Sequence, residues 1–470
     1  MIALTLDRIA EITQSRIHGS AHPADVVTGP VVIDSRQAVP GALFVALGGE
    51  RVDGHDFADA AVAAGATAVL GSRPLAAPQL LVDGGDAEVV AALGRLASAV
   101  LAELPGTEVI GVTGSSGKTT TKDLLAQVLG RLGPTVAPAG SFNNEIGHPL
   151  TVLRADENTR HVVLEVAARG VGHIAYLCGI APPRIGVVLN VGSAHMGEFG
   201  SREAIAQAKG ELVEALPEAA AGGVAVLNAD DPAVIAMTAR TTARVVSFGR
   251  GEDADVRARD VQVAADGRAA FTLEIGGHAA PVRLAVLGEH QVHNALAVAA
   301  VAAELGMPVA DIAAALGEAG PVSRWRMEVT DRRDGVTVVN DAYNANPESM
   351  AAALRTLAAL ARQRRSVAVL GIMAELGAAH RAEHERLGRL AAETGVGCIV
   401  AVGEKAAPIV DGARSVTGWQ GEVRQVSDPA QAVEALRGLL RPDDIVLVKG
   451  SRVAGLEKVA EQLTAEEAAK

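Results

Sequence analysis

Aromatic side chains are almost missing from this chain: 2 Trp, 2 Tyr and 6 Phe among 470 residues. Its cores must therefore be built mainly from Ala, Val, Leu and Ile, within a hydrophobic share of 49%. Cysteine is equally scarce. Cys178 and Cys398 stand in apolar surroundings without metal-ligand spacing, which argues against a disulfide framework and fits buried thiols in a reducing cytosol. No uninterrupted apolar run reaches the ~18 residues that a membrane-spanning helix needs. Asp7 and Arg8 fall where a signal peptide would need its apolar stretch. Positive charge is in deficit too, with 42 Lys and Arg against 55 Asp and Glu and a net charge of −13. That balance argues against a broad nucleic-acid surface, so any anionic ligand must be held in a local basic pocket. The expectation is a cytoplasmic protein with no nucleic-acid partner and no membrane insertion.

The length of 470 residues suits three domains rather than one core. Residues 1–105 alternate short strand-like pieces (VVIDSR, ALFVAL, ATAVL, QLLVD) with Ala-rich helical stretches at 57–64 and 87–103. Residues 106–318 open with the apolar strand TEVIGVT, a glycine turn, and TTTKDLLAQVLGRL, where Leu124, Leu125, Val128 and Leu132 recur at helical spacing. HVVLEV, RIGVVLNV and GVAVLNAD follow as strands with helices between them. This βαβ rhythm predicts a largely parallel sheet covered by helices. In residues 319–470 the rhythm restarts, with strands at GVTVVND, RSVAVLG, GCIVAVG and DDIVLVKG and helices near 348–361, 381–394 and 429–440. The fold class is thus α/β: an N-terminal α/β domain, a central parallel-sheet domain of the P-loop ATPase kind and a C-terminal Rossmann-like domain. The closing AEEAAK reads as the fraying end of a helix.

The glycine turn, GVTGSSGKTTTK at 111–122, almost spells a phosphate-binding loop. In the pattern G-x-x-x-x-G-K-[ST], loop amides cradle phosphates and the Lys reaches the terminal one. Counting back from Gly117-Lys118-Thr119 puts Val112 where the first glycine belongs, with glycines at Gly111 and Gly114 instead. The strand–turn–helix context still points to nucleotide phosphates held by Thr113, Gly114, Ser115, Ser116, Gly117 and Lys118, with Thr119 or Thr120 on Mg²⁺. On chemistry alone the loop does not choose between hydrolysis, transfer and ligation. Glu165 ends the strand HVVLEV, where active-site groups of parallel sheets project. His195 follows RIGVVLNV, and Lys209 sits in AIAQAKGEL on a helix. Taken singly, these three also read as a satisfied polar group, a loop histidine and a solvated lysine.

Together with the loop, the strand-end Glu, N-x-x-x-x-H and A-K-G-E resemble the ATP-dependent Mur ligases and their folylpolyglutamate synthase relatives. The resemblance implies an enzyme that phosphorylates a carboxylate and joins it to an amine, using ATP and two Mg²⁺ ions. It further implies that Thr119, Glu165, His195 and Lys209 serve the metals and that Lys209 is carbamylated, so that a carboxylate-like group replaces an ammonium that two metal ions would disfavour.

IDSRQAVPGALFVALGGERVDGHDF at 33–57 resembles the uridine-diphosphate-binding region of the MurE and MurF types, which implies substrate-binding roles for Ser35, Arg36, Asp53 and His55. Read from the residues alone, Ser35, Arg36 and His55 are equally surface turns. NDAYNANPESM at 340–350 and GSFNNEIGHPLTVL at 140–153 resemble the MurF type, and no D-N-P-R signature of the MurE type is present. This implies UDP-MurNAc-tripeptide and D-Ala-D-Ala as substrates, with Asn143 and Asn144 on the substrate side. GEHQVHNALAVAA implies an adenine contact for Asn294. The resemblance also implies an ATP contact for Arg326 and ribose and adenine contacts for Asp341, Tyr343 and Asn344. The sequence departs from the family pattern at VAARG after Glu165 and at Ser141, Phe142 and His148. A MurE-type or folylpolyglutamate-synthase-like ligase and a nucleotide-gated regulatory protein are the competing readings. A monomer is expected.

Overall fold

The computed structural model describes residues 1–49, 52–192, 196–362 and 364–465. A nine-stranded sheet stands between sheets of five and six strands, and a two-stranded ribbon pairs Leu4–Thr5 with Val26–Val27.

The five-stranded sheet orders Arg16–His18, Gln79–Leu81, Ala68–Gly71, Leu43–Val45 and Val31–Val32, parallel except at the Arg16–His18 edge. Its long helix, Asp86–Ala102, buries Val89, Leu93, Leu96, Ala97 and Val100 at the 3.6-residue period. That face belongs to one continuous core with Leu150, Val152, Leu164, Ile174 and Leu177, so the first sheet is welded to the central one.

In the nine-stranded sheet, Glu108–Thr113 lies between His161–Glu165 and Ile185–Val188. The chain first moves to one side of that strand, through Thr135–Val136 and His161–Glu165. It then crosses to the other, through Ile185–Val188, Val224–Asn228 and Arg244–Gly249. The order therefore reverses at Glu108–Thr113, and the crevice of a doubly wound sheet opens beyond the carboxyl ends of its strands at such a point. Val256–Val263 joins parallel to Arg244–Gly249, and Arg268–Ile275 and His278–Leu287 extend the sheet antiparallel, three strands that the βαβ rhythm did not foresee. Gly276 (φ 56°) and Gly277 (φ 84°) make the two-residue turn of the last hairpin, whose strand twist favours left-handed central residues.

The six-stranded sheet orders Glu328–Asp331, Thr337–Asn340, Ile445–Lys449, Ser366–Leu370, Cys398–Val402 and Glu422–Val426, antiparallel only at its first edge. Its first helix, Pro347–Ala361, starts as its sequence dictates. Asn346 caps it reciprocally with Ser349, and Pro347 takes the first turn, where its missing N–H costs nothing. The strand Glu422–Val426 and the helix Pro408–Arg414 were not foreseen.

Cys178 and Cys398 are buried free thiols, and desolvation pushes them up to about 12 and about 11. The helix after the glycine turn ends at Leu129, so Leu132 is off its apolar face and 39% exposed. Residues 466–470, the expected frayed end, lie outside the described residues. Among the described residues no helix is long and apolar enough to cross a membrane.

Candidate active site

Val112 is fully buried within strand Glu108–Thr113, so the glycine turn begins later than in the usual pattern. A Cβ on Gly114 would stand 2.9 Å from Leu189 Cβ, and one on Gly117 (φ 84°) would stand 2.5 Å from Asn294 Oδ1. Neither position has room for a side chain. Asn190 stitches the turn to the neighbouring strand end: its Oδ1 accepts from Ser116 N at 2.9 Å, its Nδ2 donates to Ser116 O at 3.1 Å, and its carbonyl accepts from Ser115 N at 3.1 Å. Ser115 Oγ accepts from Gly192 N at 2.9 Å. The helix Lys118–Leu129 then starts with its N-terminal amides at the turn, the arrangement that favours anions. Lys118 Nζ donates to Gly114 O at 2.7 Å, and burial holds its ammonium below the ordinary lysine value, against the pull of Glu165.

Thr119 is the junction of the site. Its hydroxyl donates to Glu165 Oε2 at 3.0 Å, lies 3.0 Å from Ser141 Oγ and accepts from Arg326 Nη2 at 2.9 Å. Asn143 Nδ2 donates to the other Glu165 oxygen at 2.7 Å. Glu165 is 2% exposed, so both oxygens are desolvated and fixed. A hydroxyl and a carboxylate side by side are the hard oxygen donors that Mg²⁺ takes. Lys209 lies on helix Arg202–Glu214, 6% exposed. Burial first, then repulsion from Lys118, pushes its ammonium well below its ordinary value. Among the described residues no hydrogen bond or ion pair reaches it. A buried amine beside a second cation is disfavoured as the ammonium. Its neighbour Glu211 accepts from Gly172 N and Ala175 N, anchoring that helix to the start of His173–Ile180. His195, the remaining residue of the expected metal set, lies outside the described residues.

From the third sheet, Asp341 Oδ1 accepts from Met327 N at 3.2 Å and Oδ2 from Lys449 Nζ at 2.6 Å. Lys449 also donates to Asn344 O at 2.9 Å. The Arg326 guanidinium lies 4.2 Å from the centre of the Tyr343 ring. Thr119, Thr120, Glu165, Asn294, Arg326, Asp341, Tyr343 and Asn344 all border one cavity of about 1400 Å³, to which all three sheets' segments contribute.

The structure does not bring every expected residue there. Thr113 is fully buried under the turn, its hydroxyl without a hydrogen-bond partner among the described residues. Asn143 and Asn144 border the cavity, but of the first segment's described residues only Ile33 does. Ser35 and Arg36 stand just beyond Ile33, with Arg36 paired to Asp34. His55 is buried and fully engaged: Nδ1 lies 2.6 Å from Asp53 Oδ1, and Nε2 accepts from Ser72 N at 3.0 Å and Arg73 N at 3.2 Å. Its imidazole holds that loop's shape rather than facing the cavity. Asn190, Ser141 and Lys449 were assigned no role in the sequence. Lys449 had a signal, a charged residue ending the apolar strand Ile445–Lys449 at the active rim of a parallel sheet.

Three family models match along the chain: the Mur ligase family catalytic domain at residues 30–98, the Mur ligase middle domain at 112–302 and the Mur ligase glutamate ligase domain at 325–452. The chain belongs to the Mur ligase family. The UDP-N-acetylmuramoyl-tripeptide–D-alanyl-D-alanine ligase of Mycobacterium tuberculosis is 51% identical over 507 residues, covering 99% of each chain. Among solved Mur ligases, MurF from Acinetobacter baumannii superposes with a TM-score of 0.85 at 33% identity, over 98% of this chain and 99% of that one. MurF from Thermotoga maritima in complex with ADP gives a TM-score of 0.78 at 32% identity, over 94% and 98%.

Proposed function

We propose that this chain is an ADP-forming ligase that joins D-alanyl-D-alanine to the terminal carboxylate of UDP-N-acetylmuramoyl-tripeptide, making the pentapeptide precursor of peptidoglycan. One observation carries the reading: Thr119, Glu165 and Arg326 meet beside the glycine turn, on a cavity shared by three units that each match a Mur ligase domain. Those units are assigned to residues 1–105, 106–318 and 319–470, and the protein acts as a cytoplasmic monomer.

Lys118 and the amides of Ser115–Thr119 orient the β- and γ-phosphates of ATP. Asn294, packed on Gly117, and Tyr343 and Asn344 from the third sheet hold the nucleoside, with Asp341 fixing their segment through Lys449. Arg326, held on Thr119, reaches the γ-phosphate beside it. A tripeptide carboxylate oxygen attacks the γ-phosphorus as its bond to ADP breaks. The dipeptide nitrogen then attacks the acyl carbon, inorganic phosphate leaves, and the amide forms with loss of a proton. Thr119, Glu165, His195 and carbamylated Lys209 would hold two Mg²⁺ ions, which supply charge neutralisation between anions that otherwise repel. Asn143 keeps Glu165 turned toward Thr119, and Asn144 borders the acyl substrate. The uridine diphosphate lies along Ile33, Ser35 and Arg36, in a loop region that Asp53 and His55 shape. The third unit covers the acyl phosphate against water.

The test is ADP release from the purified protein. It should require UDP-tripeptide and D-Ala-D-Ala together. ATP turnover with neither present refutes ligation, and turnover with UDP-N-acetylmuramoyl-L-alanyl-D-glutamate and a single amino acid returns the chain to the MurE-type alternative.

A further inference from the structure

The helix Lys118–Leu129 presents four polar side chains on one face: Thr119, Lys122, Asp123 and Gln127. Residues spaced three, four and eight apart share a helix face. All four reach the irregular segment that joins the central sheet's unit to the third. Gln127 grips Gly320 twice, donating from Nε2 to Gly320 O at 2.8 Å and accepting from Gly320 N at 3.1 Å. Asp123 Oδ2 accepts from Ser323 N at 2.9 Å, while its other oxygen pairs with Lys122. Lys122 Nζ donates to Pro138 O at 2.9 Å and to Ser323 Oγ at 3.4 Å. Lys122 and Asp123 are 2% and 4% exposed, so these bonds are made out of water.

The other half of the segment belongs to the third sheet. Trp325 (φ 59°) and Met327 (φ 51°) take left-handed backbone conformations without being glycine, a strain that persists only where surroundings impose it. Met327 N is held by Asp341, and Trp325 N donates to Glu328 Oε2 at 3.1 Å. Arg326 sits between these two residues and reaches back to Thr119. One half of the segment is therefore fixed to the phosphate-loop helix and the other to the nucleoside side. Arg326 closes the circuit at the end of the same helix. Gln127 lies roughly 12 Å along the helix axis from Thr119, beyond contact with a bound nucleotide's phosphates.

We propose that Gln127, with Asp123 and Lys122, is a positioning residue for the γ-phosphate. It registers the inter-unit segment on the phosphate-loop helix so that Arg326 meets Thr119. This rests on the reading of the turn as an ATP site. It adds that the strength of the γ-phosphate clamp is set from the far end of the helix.

The experiment is a double-mutant cycle of Gln127→Leu with Arg326→Lys, read by kcat, by affinity for a non-hydrolysable ATP analogue and for ADP, and by thermal midpoint. Gln127 is half-buried and uncharged, so its loss leaves no buried charge, unlike changes at Lys122 or Asp123. Gln127→Leu should cost about five- to tenfold in kcat and analogue affinity, with ADP affinity changed less than about twofold. In the Arg326→Lys background the same change should cost under about twofold, because the residue through which it acts is already displaced. Equal losses in both backgrounds, equal losses for ADP and analogue, or no loss at all each overturn the proposal. The analogue measurement needs no ligation, so a protein inactive toward the proposed substrates would refute the proposed reaction and still test this linkage.

Discussion

The side-chain amide of Asn346 donates to the carbonyl of Ser115 at 3.3 Å, across 231 positions of sequence. One residue thus caps the first helix of the third sheet and fastens it to the glycine turn. Asn346→Asp separates these tasks. Aspartate is as good an N-cap as asparagine, but it cannot donate to Ser115 and sets a negative charge where phosphates bind. The expected result is a thermal midpoint within a few degrees of wild type, with ATP affinity reduced at least ~10-fold. Unfolding of the helix instead would show that the cap, not the bridge, is what matters.

Lys209→Ala should lose at least ~10²-fold in kcat, the scale seen when a positioned electrostatic group is deleted. A small carboxylic acid should restore part of the rate by filling the vacated space. Bicarbonate should not, because no amine remains to modify. Full turnover in the alanine variant, with or without CO₂ in the buffer, would leave Lys209 a buried structural lysine.

Asp341 and Lys449 form a buried pair, so removing one partner leaves the other charged in a desolvated site. Asp341→Ala should destabilise the protein by about 3 kcal/mol, whereas Asp341→Leu combined with Lys449→Met should recover much of that loss. Asn344→Ala, which leaves the pair intact, should raise KM for ATP well above any change for D-Ala-D-Ala. Denaturant midpoints and steady-state kinetics on the same preparations check both statements.

His148 carries a pH dependence of known sign. Burial pushes its imidazole from the ordinary 6.5 down to about 4, with the His173 ring adding to the shift. The folded state therefore prefers the neutral ring, and its stability is intact above pH 6.5 and lost as pH falls from there toward 4. Between pH 7 and pH 5 this residue should cost about 2 kcal/mol. His290 is lowered in the same direction, so wild type alone does not isolate the effect. His148→Leu does: its denaturant midpoint should fall less than that of wild type over the same interval, and parallel pH curves would assign the loss elsewhere.

The parts of this fold that announce themselves in sequence are those whose chemistry is local. Strand, glycine turn and helix at 107–129 are legible because a turn around Gly114 and Gly117 admits no side chain there. The helix at Pro347 is legible because Asn346 and Ser349 are written beside it. The antiparallel hairpins at 256–287 carried a signal too, Gly276-Gly277 between alternating strands, but the preceding βαβ rhythm masked it. Glu165 was legible as a strand-end acid. Its partner Asn143, and the Ser141 and Arg326 that meet Thr119 beside it, converge from 22 to 207 residues away from the groups they bind, and no local pattern encodes such a meeting. Asn190 lay inside a motif yet without a role, since its task is to tie down backbone. His55, a polar residue in a signature expected at the substrate, has both its ring nitrogens engaged with the loop around it.

Because the central strands run parallel, the turn, Glu165 and Asn190 all emerge from one rim of the sheet. The returns that feed those strands lie at the opposite rim. The short turn Ala219–Ala221, exposed and leading into strand Val224–Asn228, is one of them. It offers a place to graft a fluorophore or an affinity handle on the rim away from the turn, so that an immobilised or labelled enzyme would keep its working face open to both peptides.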